Sequence, residues 1–411
     1  MKLLLINIKE LVQVEDKPRK WVSGKDMARI NTIKNAFLLI TDELITDFGP
    51  MIALEKCNFE NFEQIMEIDC TGRMVFPAFC DPDSHLLYPF ENDLNMSLRN
   101  RNSGSAKRDE EQKRVLLHQS GEEELYLSAM QKIKKIVKKG TGALEIKSGY
   151  GLAPDDELKM LRVIKRLKQT SPLAIISTFL GNEMIPNGWG KTPSNYFATL
   201  TDSILPQVLN ENLADNIDIG FNNNYHSNHT AEQFLRLGIK AGLKPKIHSG
   251  EIGLGKLRNK SLSQEIEIIE SQQKKLKDKI AIISKSQALP VIHPGVSFFG
   301  NKTSTSARAM IDAGLAVALA SDYNPVVTPS FDMKLMMSLG CIRHGMTAEE
   351  AINAATINAA YAMDISKGYG SVAKGKAANI FITEPIPTYQ YLTYAIDREL
   401  IDMVILAGEI Q

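Results

Sequence analysis

The sequence predicts a (β/α)8 barrel of the TIM type, joined to a small β-sandwich domain that the two chain ends build together. Three observations predict it. Strand and helix patterns alternate through the middle of the chain, with apolar strands. Short strand-like runs bracket that stretch on both sides. Ionisable residues recur just past the ends of the predicted strands, as they do where a barrel carries its site.

The elements follow in order. Apolar runs at 2–8, 36–40, 44–48 and 72–76, separated by turn-like and charged segments, make residues 1–77 a small β domain. Residues 78–363 form the predicted barrel. In 122–139, Leu125, Tyr126, Ala129, Met130, Ile133, Ile136 and Val137 share one helical stripe, and Gly140 stands where a C-terminal cap belongs. A strand at 142–147, a helix at 157–167 and a strand at 173–180 follow. Thr230 is placed to cap a helix ending near Ala241 and Gly242, ahead of a strand at 245–247. Strands at 289–292 and 316–320 enclose a helix at 307–313. From Gly370 the strand texture returns, at 379–383 and 403–407, so residues 364–411 complete the first domain. A doubly wound sheet has the same periodicity, but no Gly-rich phosphate loop follows an early strand.

Composition narrows the function. The chain has 411 residues, 44% of them hydrophobic, enough for a large core. Lys plus Arg and Asp plus Glu are both 48, so no basic excess favours nucleic acid or an anionic membrane. Neutrality favours self-association, and a homodimer is compatible with it. Cys57, Cys70, Cys80 and Cys341 are scattered, which indicates reduced thiols and neither disulfides nor a cysteine zinc site. No run approaches the roughly 18 apolar residues of a membrane span. The expected partner is a small molecule, and the expected compartment is the cytoplasm.

The strand ends carry the chemistry. Asp83 and His85 follow the run 74–79, Lys147 and Tyr150 follow 143–146, and Glu183 follows 175–180. His248 and Glu251 follow 245–247, His293 follows 290–292, and Asp322 follows 316–320. His, Asp and Glu gathered at one mouth have the composition of a hard-to-borderline metal site. Blander readings stand beside this one. His293 beside Pro294 reads as a satisfied histidine, Asp322 as a carboxylate bonded to loop amides, and Tyr150 as packing in the turn 149–151. His226 and His229 read as solvated, and the run 107–114 as an exposed helix face or a loop.

Several segments carry a resemblance. Met74-Val75-Phe76-Pro77 with Asp81-Pro82-Asp83-Ser84-His85 resembles the opening of the amidohydrolases. Glu145-Ile146-Lys147-Ser148-Gly149-Tyr150-Gly151-Leu152 and Thr178-Phe179-Leu180-Gly181 are similar to segments of the imidazolonepropionase family. The match continues in Lys246-Ile247-His248, in the stretch 318–325, in 350–358 and in the closing 370–379. The resemblance implies a hydrolase that opens 4-imidazolone-5-propionate to N-formimino-L-glutamate in histidine breakdown. It also implies one divalent ion, zinc or iron, on Asp83, His85, His248 and Asp322. Glu251 and Asp322 are the implied catalytic residues, and Tyr150, Glu183 and Asn324 the implied substrate contacts.

The chain departs from that pattern in places. Asp83 and Glu183 stand where the family has histidines, Glu265 is the best match for a third, and Asn92 stands for a carboxylate-gripping Arg. The Gly-rich loop after the first barrel strand is replaced by the polar stretch 98–121, and strand four ends in Gly220-Phe221-Asn222-Asn223. Three readings stay open: a working or weakened cyclic-amide hydrolase, a metal-free pseudoenzyme that binds a partner or metabolite, and a metal hydrolase of another cyclic amide or amidine.

Overall fold

The computed structural model describes residues 2–56, 65–87, 114–151, 153–181, 193–220, 227–249, 252–255, 257, 276–286, 288–300, 306–325 and 328–411. Strands β1 (Lys2–Val12), β2 (Thr32–Thr41), β3 (Leu44–Pro50), β4 (Met66–Asp69) and β5 (Met74–Pro77) come from the N-terminal part. β1 pairs antiparallel with β2, and parallel with β4 and β5. The two chain ends meet in this sheet. β14 (Ile380–Thr383) pairs antiparallel with β5, and β15 (Ile401–Leu406) and β16 (Glu409–Ile410) extend the order to β16-β15-β14-β5-β1-β2-β3. Leu3, Leu5 and Ile8 of β1 pack with Leu38, Ile40, Ile380, Ile382 and Ile405 in one core, while Leu4, Phe37 and Leu39 form another. Alternate side chains of a strand point to opposite faces, which separates these two sets.

The run 74–79 does two jobs. Met74–Pro77 belongs to the terminal sheet, and after Ala78 the chain begins the barrel as β6 (Phe79–Asp81). Phe76 stacks on Phe381 at 5.1 Å and Phe79 lies 4.9 Å from the same ring, so the two sheets share an aromatic joint. Gly140 fits tightly against that joint. Its φ is +80°, and a Cβ there would stand 2.6 Å from Ile401 Cδ1 and 3.0 Å from Phe381 Cδ1. Gly140→Ala is therefore expected to cost about 1–3 kcal/mol, through left-handed strain and overpacking, read as a lower urea midpoint.

The barrel runs through β7 (Thr141–Lys147), β8 (Ala174–Gly181), β9 (Asn216–Gly220), β10 (Lys244–Ser249), β11 (Ile252–Gly255), β12 (Leu289–Ile292) and β13 (Ala318–Leu319), in sequence order. Helices Glu122–Lys138, Pro154–Thr170 and Asn228–Lys240 connect strands where the periodicity predicts them. Glu122, Glu123 and Glu124 complement the positive end of the first. Two expectations are corrected. Ser227, not Thr230, caps the helix Asn228–Lys240, its Oγ accepting from the Thr230 N–H at 3.1 Å. The barrel is also not parallel throughout, since β11 runs antiparallel to both β10 and β12. Only two positions, 250 and 251, separate β10 from β11 in sequence, too few for the crossover that a parallel pairing needs.

Strands β6 and β13 are joined at their C-terminal ends by a short seam. Ser84 bridges Tyr323, the His85 N–H donates to the Tyr323 carbonyl at 2.8 Å, and the Asp322 N–H donates to the Asp83 carbonyl at 3.0 Å. Below it, Asp81 accepts from the Ser321 N–H at 2.9 Å and from the Ser321 hydroxyl at 2.5 Å. Cys70 and Cys80 are buried free thiols, and burial pushes the Cys80 thiol up to about 12. Among the described residues no helix is long and apolar enough to cross a membrane.

Candidate metal centre at the barrel mouth

The barrel interior is built in polar layers. Every second residue of a strand faces inward, so Glu145 and Lys147, Asn216 and Asp218, and Lys246 and His248 each contribute to two successive levels. In the lower level Glu145 pairs with Lys246 and accepts from the Thr178 hydroxyl at 2.7 Å, and Asn216 donates to Thr178 at 3.2 Å. The upper level holds Lys147, Asp218 and His248, which meet Asp83 and His293. Lys147 Nζ lies 2.6 Å from Asp83 Oδ2 and 2.6 Å from Asp218 Oδ2. His248 Nδ1 lies 3.1 Å from Asp218 Oδ2, and His293 Nε2 lies 3.2 Å from Asp83 Oδ2.

The closing seam supplies the outermost group. Asp83 and His85 stand just past β6 and Asp322 just past β13, so the backbone bonds of the seam bring all three together. Asp322 takes a left-handed φ of +45°, uncommon for a residue with a side chain. Its Oδ1 lies 3.4 Å from His85 Nε2, and Asp83 Oδ1 lies 3.9 Å from the same nitrogen. One ligand atom from each of Asp83, His85 and Asp322 falls within 4.8 Å of the others. His248 is not one of this trio, and its ring centroid lies 6.4 Å from that of His85. Tyr150 and Asn324 are brought together beside them. The Asn324 amide donates to the Tyr150 hydroxyl at 3.1 Å, and the Tyr150 ring meets His85 edge-on at 4.8 Å. Glu183 and Glu251 lie outside the described residues, as do Asn92, Glu265, Asn222, Asn223 and His226.

Electrostatics follow from this arrangement. Burial opposes charge on Asp83, yet Lys147 and His293 hold its carboxyl well below the usual range. Asp218 is lowered too, with burial overcome by Lys147 and His248. Burial disfavours the Lys147 ammonium, but Asp218 and Asp83 raise it. Against burial, Asp83 and Asp322 push His293 up to about 9, and Asp218 with Asp83 raises His248.

These residues fit a divalent cation on three counts. Bonds of about 2.1 Å place tetrahedral ligands roughly 3.4 Å apart, close to the two spacings of His85 Nε2. Asp83 Oδ1, which faces that nitrogen, is buried without a hydrogen-bond partner among the described residues. Asp83 and Asp218 share the one ammonium of Lys147 and Asp322 stands beside His85, so three carboxylates gather at the mouth, and a 2+ ion could take the place of the charge that the raised His248 and His293 otherwise supply.

Two blander sequence readings are corrected here. His293 is a neighbour of Asp83 and not merely a satisfied histidine beside Pro294. Arg114 is buried, with its guanidinium 5.4 Å over the Tyr150 ring, although the charged run containing it reads as exposed. Asp218 and the bridging role of Lys147 were not assigned from sequence. The available signal was charge at every second position of otherwise apolar strands.

Glu157 supports the site from behind. It accepts from the Gly149 N–H at 2.7 Å and the Gly151 N–H at 2.8 Å, which fixes the turn carrying Tyr150. Burial raises it to about 7, against the hydrogen bonds. A carboxyl raised on folding stabilises fully below its unfolded value of about 4.3 and loses that contribution as pH rises through about 7. Wild-type stability should therefore fall by on the order of 3 kcal/mol from this group between pH 5 and 8. Glu157→Gln should remove that slope in paired urea titrations.

A barrel whose seam gathers carboxylates and imidazoles at its mouth places the protein in the amidohydrolase class, and residues 224–410 match the model of the Amidohydrolase family. The fold is shared with triazine hydrolase from Arthobacter aurescens, with TM-score 0.71 at 11% identity over 100% of this chain and 94% of that one. The imidazolonepropionase of Christiangramia forsetii is 40% identical over 100% of both chains, and that of Flavobacterium johnsoniae 39% identical over 99% of both. The chain belongs to the imidazolonepropionase family.

Proposed function

We propose that the protein is a metal-dependent cyclic-amide hydrolase of the imidazolonepropionase type, with turnover of 4-imidazolone-5-propionate reduced by the substitutions around its site. The observation that carries this reading is the trio Asp83, His85 and Asp322, with the buried Asp83 Oδ1 aimed at His85. These three would hold the ion, with His248 beside them as the remaining family position. A bound zinc or iron ion lowers the pKa of water toward neutrality and polarises a carbonyl. Asp218 orients the His248 ring through Nδ1. Tyr150 and Asn324 form a wall beside His85, suited to one edge of a small planar ring. By family position, Glu251 and Asp322 handle the proton passed from water to the leaving nitrogen, and Glu183 lines the substrate pocket.

The pseudoenzyme reading is favoured by one observation, that Lys147 already neutralises part of the charge of Asp83. Zinc titration in a calorimeter separates the two. Saturable binding that is lost in His85→Ala supports the hydrolase, and no binding by the wild type supports the pseudoenzyme. The finer readings of partner and compartment, a homodimer in the cytoplasm, go with the hydrolase. Light scattering showing only the 45.6 kDa chain mass would remove the dimer.

A further inference from the structure

The family resemblance assigns no role to His293, yet the residue is fully buried and its Nε2 lies at an ion-pair distance of 3.2 Å from Asp83 Oδ2, outside hydrogen-bond geometry. Strand β12 delivers it to the mouth, and Pro294 opens the following helix Pro294–Gly300, which fixes its backbone. Lys147 donates to the same Asp83 oxygen at 2.6 Å, but it is shared with Asp218 at an equal distance. Asp83 Oδ1 is left facing His85 without a hydrogen-bond partner among the described residues. The two oxygens of one carboxylate are thus treated differently.

That difference matters for a carboxylate standing where an imidazole would otherwise bind. An imidazole presents one nitrogen in a fixed direction, with its other nitrogen held by a neighbouring group. A carboxylate has two equivalent oxygens, and it is a directional one-atom ligand only when the second oxygen is occupied. We propose that His293 is the positioning residue that lets Asp83 act as a metal ligand. With Lys147 it clamps Oδ2, so that Oδ1 alone is offered to a divalent ion. The clamp rests on the metal reading above. It has no purpose for an imidazole at position 83, which makes the two positions interdependent.

The test is a double-mutant cycle on metal affinity. Zinc affinity is measured by competition with a chelating dye, and the visible spectrum of the cobalt(II) form reports the ligand set. His293→Asn, too short to reach Oδ2, is compared with His293→Gln, which keeps an N–H donor in reach. Both are made in the Asp83 and Asp83→His backgrounds, and melting in chelator checks the fold of each. With Asp83, His293→Asn should weaken zinc binding about 10–100-fold, as loss of a ligand's supporting group does. The cobalt spectrum per bound ion should be unchanged, and His293→Gln should recover most of the affinity. With Asp83→His, neither change should matter. Equal losses in both backgrounds, no loss beside Asp83, or a cobalt spectrum showing a lost ligand would each overturn the proposal. A wild type that binds zinc but ignores His293 removes only the clamp. A wild type that binds no zinc removes the metal reading and the clamp together.

Discussion

Lys147→Met is expected to destabilise the folded chain by about 3–5 kcal/mol, the usual cost of removing one partner from a buried ion pair. The ammonium is almost wholly buried and lies 2.6 Å from two carboxylates whose other neighbours are the imidazoles of His293 and His248. Methionine fills a similar volume but leaves Asp83 and Asp218 facing each other in a low-dielectric interior. Arginine would not rescue the variant, because its planar fork is too large for a point charge held between two oxygens. Urea unfolding at neutral pH measures the loss. Two accompanying results are expected. Mild acid should narrow the gap to wild type, since protonating either aspartate relieves the repulsion. Zinc should narrow it as well, because a cation on Asp83 Oδ1 compensates the same charge. A loss below about 1 kcal/mol would mean that water already screens the pair, contrary to its burial.

Turnover of 4-imidazolone-5-propionate should fall well short of ordinary enzyme rates of about 1–10³ per second. On the proposed reading the substrate is anionic, and by the resemblance Asn92 matches the Arg that grips its carboxylate in the family. Loss of such a charge-assisted contact costs roughly 1.5–3 kcal/mol. By the resemblance, Glu183 matches one family imidazole and Glu265 is the best match for another, exchanges that would add like charge and remove neutral proton donors. General acid–base help of that kind is worth roughly 10²–10⁴ in rate. Asp83→His restores none of these groups, so it should not restore full turnover. A steady-state assay with zinc or iron supplied decides the matter. A wild-type rate inside the ordinary range would show that neighbouring residues, with the buried Arg114 beside Tyr150 the first to examine, compensate for the substitutions.

Most of the fold was legible because hydrophobic periodicity encodes it directly. The stripe from Leu125 to Val137 is the helix Glu122–Lys138, and the apolar run at 289–292 is β12 without change. The reversal of β11 was not legible. Ile252–Gly255 is four residues long, and its direction depends on a two-residue link, not on any pattern within it. Asp83, His85, His248 and Asp322 were singled out through motif resemblance and their shared place past strand ends, and the structure groups three of them, Asp83, His85 and Asp322. His293 and Asp218 were not assigned a role, because a lone polar residue in a strand does not reveal its partner on another strand. The Asp83–His293 contact spans 210 positions of sequence, and only closure of the barrel creates it. Arg114 was misjudged because a run of charges in sequence reads as an exposed segment, whereas its own side chain is buried.

Elemental analysis of the chain, purified without chelator or metal-affinity resin, tests the metal centre most directly. The expected result is about one divalent ion per chain, zinc or iron, as one closed set of protein ligands holds. His85→Ala and Asp322→Asn, prepared in parallel, should each lose it while keeping the wild-type far-ultraviolet spectrum. Less than about a tenth of an ion per wild-type chain, unchanged after dialysis against excess zinc and iron, would contradict the assignment of Asp83, His85 and Asp322 as a metal site.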